Sequence, residues 1–190
     1  PMLRQGLLLH EIAHACDKPQ GPIVGHPLAR EEIEAVLSGG AAVQIYSDGI
    51  YVSKDLDFVT AASNKEIGTV LGRLGFEATT SRRLYQREGT EYLVEFPAAP
   101  LALGRELVRE WHQLRTAYGT IQILSPTQSV KDRLAAYIHW RDLQALRQAG
   151  EIALRHAVDL ADIFSWLKGE GAAKRDIEAV RKVLAPEPAS

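Results

Sequence analysis

A single cysteine, Cys16, stands in 190 residues, which excludes an intrachain disulfide and a cysteine-based zinc site and suits a reducing compartment. Charge of either sign is not in excess. The net charge is −2, so nothing draws the whole molecule toward nucleic acid, and any such binding would need a local basic patch. No apolar run approaches membrane-spanning length, and Leu7-Leu8-Leu9 is too short for the core of a signal segment. Internal repeats are missing, and the only biased tract is the Pro/Ala tail from Ala185 to Ser190, expected to fray. These absences predict a soluble, cytoplasmic protein. What remains is ordinary: 46% hydrophobic and 24% charged residues, enough for one substantial core or a compact domain with a smaller appendage.

The informative stretch runs from Ala35 to Val59, AVLSGGAAVQIYSDGIYVSKDLDFV. A short apolar run leads into Gly39-Gly40, and fourteen residues separate Gly40 from Asp55-Leu56-Asp57. In an extended strand side chains alternate faces, so Asp55 and Asp57 would share one face while Leu56 and Phe58 point to a core. Paired carboxylates repel, and without a cation one of them tends to hold its proton. A hard divalent metal resolves that conflict, and Mg²⁺ commonly takes one or two carboxylates plus substrate phosphates. Glycines lacking a Cβ let backbone N–H groups approach a phosphate, and the following AAVQIY suits a short helix whose N-terminus favours an anion. Separately, Gly-Gly is a turn and Asp-x-Asp is often an exposed strand face. Both motifs in this order, spacing and apolar context are more specific.

This arrangement resembles the nucleotidyltransferase superfamily typified by DNA polymerase β. GGAAVQIY followed by SKDLDFV is most similar to AbiEii-type toxins and their uncharacterised bacterial relatives. The resemblance implies an α+β fold, a nucleotidyltransferase-like mixed β-sheet flanked by helices, with a C-terminal helical subdomain. Residues 1–127 would form the nucleotidyltransferase-like domain, with residues 1–33 as its N-terminal helix and loop, and 128–190 the helical subdomain. The implied activity is metal-dependent transfer of a nucleoside monophosphate from an NTP, with Mg²⁺ (or Mn²⁺) held by Asp55, Asp57 and Glu95. Glu95 falls where the third metal-site carboxylate of the superfamily would stand. Gly39, Gly40, Ser53 and Lys131 would bind the nucleotide; Ser53-Lys54 matches the family's small-hydroxyl-then-basic lead-in. The implied partners are the NTP, an RNA (tRNA), protein or small-molecule acceptor, and an antitoxin if the protein is half of a toxin–antitoxin pair. SPTQSVKDRLAAYIHWRD is similar to the segment after the catalytic domain in those relatives. AVDLADIF resembles their Lys-Asp-x-x-Asp helix, placing Asp159 and Asp162 at the cleft, with Val158 where the basic residue would be. A catalytically degenerate nucleotide-binding protein fits the same motifs.

A rival function comes from residues 2–16, whose apolar spacing predicts a helix. It contains His10-Glu11-Ile12-Ala13-His14, the H-E-x-x-H pattern of zinc peptidases, in which the two histidines share a helix face and the glutamate is a general base. Asp17 and Gln20 occupy the positions where an extended form needs Gly and His, and no sheet is expected ahead of a motif at residue 10; an amphipathic helix with a polar edge is the plainer reading.

Elsewhere, residues 17–27 predict a surface loop from their prolines and glycines, with a helical turn over 28–33. A helix is expected after a Ser63 or Asn64 cap, ending at Gly75. A hairpin is expected from Arg83–Arg87 and Glu91–Phe96 through Gly89-Thr90. Residues 104–118 would be helical or irregular, with Trp111 packed. Thr120–Leu124 reads as the last strand, and Pro126 as the boundary of an all-helical remainder. That remainder would open on a Ser129…Asp132 capping box, followed by helices over 142–166 and 172–184.

Overall fold

The computed structural model describes residues 20–117 and 119–185, with side chains from residue 24 onward. The helix expected over residues 2–16, with His10, Glu11 and His14, lies outside the described residues, as does the tail beyond Ala185.

A seven-stranded mixed sheet forms the centre, in the order β3-β4-β5-β2-β1-β9-β8. Its strands are β1 (Val36–Ser38), β2 (Asp55–Val59), β3 (Glu77–Ala78), β4 (Leu84–Gln86), β5 (Leu93–Glu95), β8 (His112–Thr116) and β9 (Gly119–Ile123). A separate hairpin pairs β6 (Ala102–Leu103) with β7 (Glu106–Leu107). Before and among the strands lie α1 (Gln20–Arg30), α2 (Gly39–Tyr46) and α3 (Asn64–Arg73). After β9 come α4 (Pro126–Trp140), α5 (Leu143–Arg155), α6 (Leu160–Gly169) and α7 (Lys174–Leu184). This is the expected α+β class.

The apolar residues of the central strands explain the layering. Leu37, Leu56, Phe58, Val94, Ile121 and Ile123 are buried with α1 and α3, while the alternate positions carry Ser38, Asp55, Asp57 and Glu95. A second, smaller cluster on Val36, Leu103 and Leu124 takes in Trp111, so this tryptophan packs as expected. Among the described residues no helix is long and apolar enough to cross a membrane.

Helix α3 starts with a capping box between Ser63 and Glu66, and Gly75 follows its end at φ 79°. β4 and β5 pair antiparallel as the hairpin reading required. Four local expectations need correction. Residues 20–27 belong to α1 rather than a loop, although Pro27 lies inside the helix. Burial decides it, because Val24 and Leu28 are fully buried and Gly25 lets the helix approach the sheet, a Cβ there meeting Ile121 Cγ2 at 2.9 Å. Residues 104–117 are not helical: Gly104, at φ 61°, turns the β6–β7 hairpin, and His112–Thr116 pairs with β9. The capping box of α4 is Ser125 with Gln128, not Ser129 with Asp132, because Pro126 at the first helical position sets the start.

The expected long helix over 142–166 is two helices. His156 is extended and its Nε2 meets the Tyr46 carbonyl at 2.9 Å. The Asp159 side chain accepts from the Asp162 N–H at 2.9 Å and starts α6. A polar tie to another element and a side-chain cap stop one helix and begin the next.

Candidate nucleotide and metal site

Helix α2 begins directly at the end of β1, so Gly39 and Gly40 are its first residues. Its N-cap, Ser38, makes no side-chain cap; the Ser38 hydroxyl instead donates to the Asp57 carbonyl oxygen at 3.3 Å. First-turn N–H groups of a helix have no intrahelical acceptor, and the dipole there favours an anion. Gly39 is held at φ 62°, and a Cβ on it would collide with the Asp57 carboxylate. A Cβ on Gly40 would come within 2.7 Å of the Ser53 hydroxyl. The glycine pair therefore permits a close approach as well as a turn: the carboxylate and the hydroxyl lie directly on it.

Register brings the three expected carboxylates to one face. β1 and β2 pair antiparallel with Ser38 opposite Asp57, and β2 and β5 pair parallel with Asp57 opposite Glu95. Asp55, two residues before Asp57, points the same way. Asp55 and Glu95 are exposed and Asp57 is half-buried. Burial, followed by the charges of Glu95, Asp132 and Asp55, pushes the Asp57 carboxyl up to about 6, with Arg133 opposing the shift. Mutual repulsion of this kind is what a divalent cation relieves.

Two features of this site escaped sequence reasoning. Gln44, one turn along α2 from Gly40, accepts from the Ser53 N–H at 2.9 Å and fixes the loop against the helix. Ser53 in turn donates from its hydroxyl to the Asp55 carbonyl at 2.8 Å. The i,i+4 spacing from Gly40 was the available signal. The Asp132–Arg133 pair on α4 is the other, and no spacing rule connects it to a strand seventy-odd residues earlier.

Lys131 lies differently from its expectation. It is almost fully buried, and its ammonium donates at 2.9 Å to both Glu106 oxygens and to Asp162. It joins α4 to β7 and α6, so its charge is already committed to protein carboxylates. Asp162 is occupied by this tie and Asp159 by its cap, while Lys54 pairs with Glu91 at the surface. Lys131→Met is expected to leave two carboxylates facing each other and to destabilise by about 2–3 kcal/mol, the low side of breaking a buried pair because both acids are half-exposed. A thermal melt should fall by roughly 5–10 °C, with recovery on adding Glu106→Gln.

Among the described residues, no group of three or more His, Cys, Asp or Glu converges into a ready-made metal cage. Asp55 and Asp57 fit the other mode, in which one or two carboxylates share a hard cation with substrate phosphates. A cavity of about 350 Å³ lies between Tyr46, His112, Ser125, Thr127 and His156, and none of the carboxylates lines it.

Neither a protein-family model nor a curated protein matches this chain. Solved structures do. An antigenic nucleotidyltransferase-like protein from Paracoccidioides brasiliensis superposes with a TM-score of 0.56 at 16% identity, over 86% of this chain and 90% of that one. The antibiotic-resistance factor ANT(2'')-Ia is more distant in shape. Its solution structure gives 0.45 at 13% identity over 83% of this chain and 85% of that one. Its crystal structure in complex with adenylyl-2''-tobramycin gives 0.46 at 13% over 85% and 92%. The chain has a nucleotidyltransferase-type fold.

Proposed function

We propose that this protein is a metal-dependent nucleotidyltransferase, moving a nucleoside monophosphate from an NTP to an acceptor hydroxyl with release of pyrophosphate. The observation that supports it most is the packing of Asp57 onto Gly39, which sets the uncapped start of α2 against a half-buried carboxylate. An anion-binding helix end and a cation-seeking carboxylate face are thereby adjacent, as a metal–triphosphate complex requires.

In this reading the N–H groups of Gly39 and Gly40, with the Ser53 hydroxyl, bind the phosphates and orient the α-phosphorus toward the acceptor. Asp55 and Asp57 hold Mg²⁺ (or Mn²⁺), with Glu95 beside them. The bound metal supplies charge stabilisation at the transferring phosphoryl group and lowers the pKa of the attacking hydroxyl. Glu95, exposed and on the same face, accepts the proton of that hydroxyl. The helical subdomain from residue 128 onward, packed through α4, closes one side of the cleft. The acceptor is an RNA such as tRNA, a protein hydroxyl or a small molecule, reached in the cytoplasm. If the protein is a toxin with a cognate antitoxin, expressing it alone arrests growth and Asp57→Ala relieves the arrest.

Titrating each NTP into the wild type with and without Mg²⁺, then into Asp55→Ala, tests the reading. Magnesium-dependent binding that weakens at least about tenfold in Asp55→Ala is expected. Binding indifferent to Mg²⁺ and to the substitution would overturn it.

A further inference from the structure

Lys131, the cation that the family resemblance directs at the nucleotide, has its donors engaged on Glu106 and Asp162. Two residues on, Arg133 is in a different state. It lies on α4, which packs against α2, and its side chain is 18% exposed. Nε and Nη2 both donate to Asp132 Oδ2, at 3.1 and 2.6 Å. A guanidinium carries its donors in a planar fork. Gripping one oxygen from the Nε side leaves Nη1 and the outer hydrogen of Nη2 without a protein acceptor among the described residues. That free edge is the one that takes two phosphate oxygens at once.

Packing puts the helix that carries this edge at the site: α4 lies against α2, and the Asp57 carboxylate lies on Gly39 at the start of α2. The charges of Asp132 and Arg133 on Asp57 agree with that placement. Adjacent residues on a helix do not normally face one another, so the Asp132–Arg133 contact is no ordinary surface bridge. It holds the guanidinium by two donors on one oxygen. A triphosphate arriving beside Asp55, Asp57, Glu95 and Asp132 needs a cation that is near, held in place and still has donors to offer.

We propose that Arg133, held by Asp132, receives the phosphates of the bound nucleotide through its free guanidinium edge, while Lys131 only secures α4. The assignment rests on the nucleotidyltransferase reading above.

Magnesium tripolyphosphate serves as a base-independent probe, alongside Mg·NTP and the corresponding unphosphorylated nucleosides. In Arg133→Met, tripolyphosphate and NTP should bind about tenfold to a hundredfold more weakly, with nucleoside affinity within about twofold of wild type. Arg133→Lys keeps charge without the fork and should fall between; it carries the test if Arg133→Met does not fold. Unchanged tripolyphosphate affinity in a folded variant, with Asp55→Ala still abolishing binding, overturns the assignment and leaves the nucleotidyltransferase reading standing. Equal loss for nucleoside and triphosphate would make Arg133 structural and also overturn it. If the wild type binds neither tripolyphosphate nor any NTP, both fall together.

Discussion

Replacing Asp57 with asparagine is expected to raise the stability of the metal-free protein near neutral pH while eliminating its magnesium-dependent nucleotide binding. The reason is the carboxyl's position at about 6 in the folded chain against 3.8 ordinarily. Below the lower value Asp57 is protonated whether folded or unfolded, and it contributes nothing. As pH rises from there to about 6, the unfolded chain loses its proton first, so stability falls through that window and stays lowered above it. The shift of about two units corresponds to almost 3 kcal/mol, and partial exposure brings the expected cost to roughly 1–3 kcal/mol. Asparagine escapes it at every pH. Melts in chelator should therefore show the variant ahead by roughly 3–10 °C at about pH 7 and level with wild type at about pH 4. Added Mg²⁺ with nucleotide should stabilise the wild type alone. A variant less stable than wild type at pH 7, or a gain that ignores pH, would mean the carboxylates do not repel as their arrangement requires.

Gly39→Ala should damage the site through a single methyl. Left-handed φ at a residue with a Cβ costs about 1–2 kcal/mol, and here the new methyl also meets the Asp57 carboxylate. Either β2 moves away from α2 or the carboxylate rotates off its face. Both outcomes separate the helix end from the carboxylates proposed to hold the metal, so transfer and Mg·NTP binding should drop by about a hundredfold or more. Gly72→Ala makes the matched control: a Cβ there meets nothing within 4 Å, and the residue lies in helix α3. It should stabilise by up to about 1 kcal/mol and leave binding unchanged. Gly39→Ala binding nucleotide as well as Gly72→Ala would remove the helix end from the site.

The helix and strand carrying these residues were legible because their signals are local. Alternation in Asp55–Val59, the apolar lead into Gly39-Gly40, and the Ser63…Glu66 box each depend on neighbours a few residues away. Errors arose where distant packing outweighed local preference. Pro22 and Pro27 argue for a loop, yet Val24 and Leu28 are buried and make α1 a helix. Residues 142–166 read as one helical periodicity, yet the His156–Tyr46 contact divides them.

By itself the sequence determined that the glycine pair precedes an aspartate strand, that Asp55 and Asp57 share a face, and that the later chain is helical. Strand spacing and helix propensity suffice for those. Only tertiary structure decided which residues stand beside the carboxylates: Glu95 through the β2–β5 register, Asp132 and Arg133 through the docking of α4. It also decided that Lys131 points into a buried ion pair, because Glu106 and Asp162 come from elements no local rule connects to α4. Charge acts through space, and a linear pattern carries no record of which distant groups the fold will bring near.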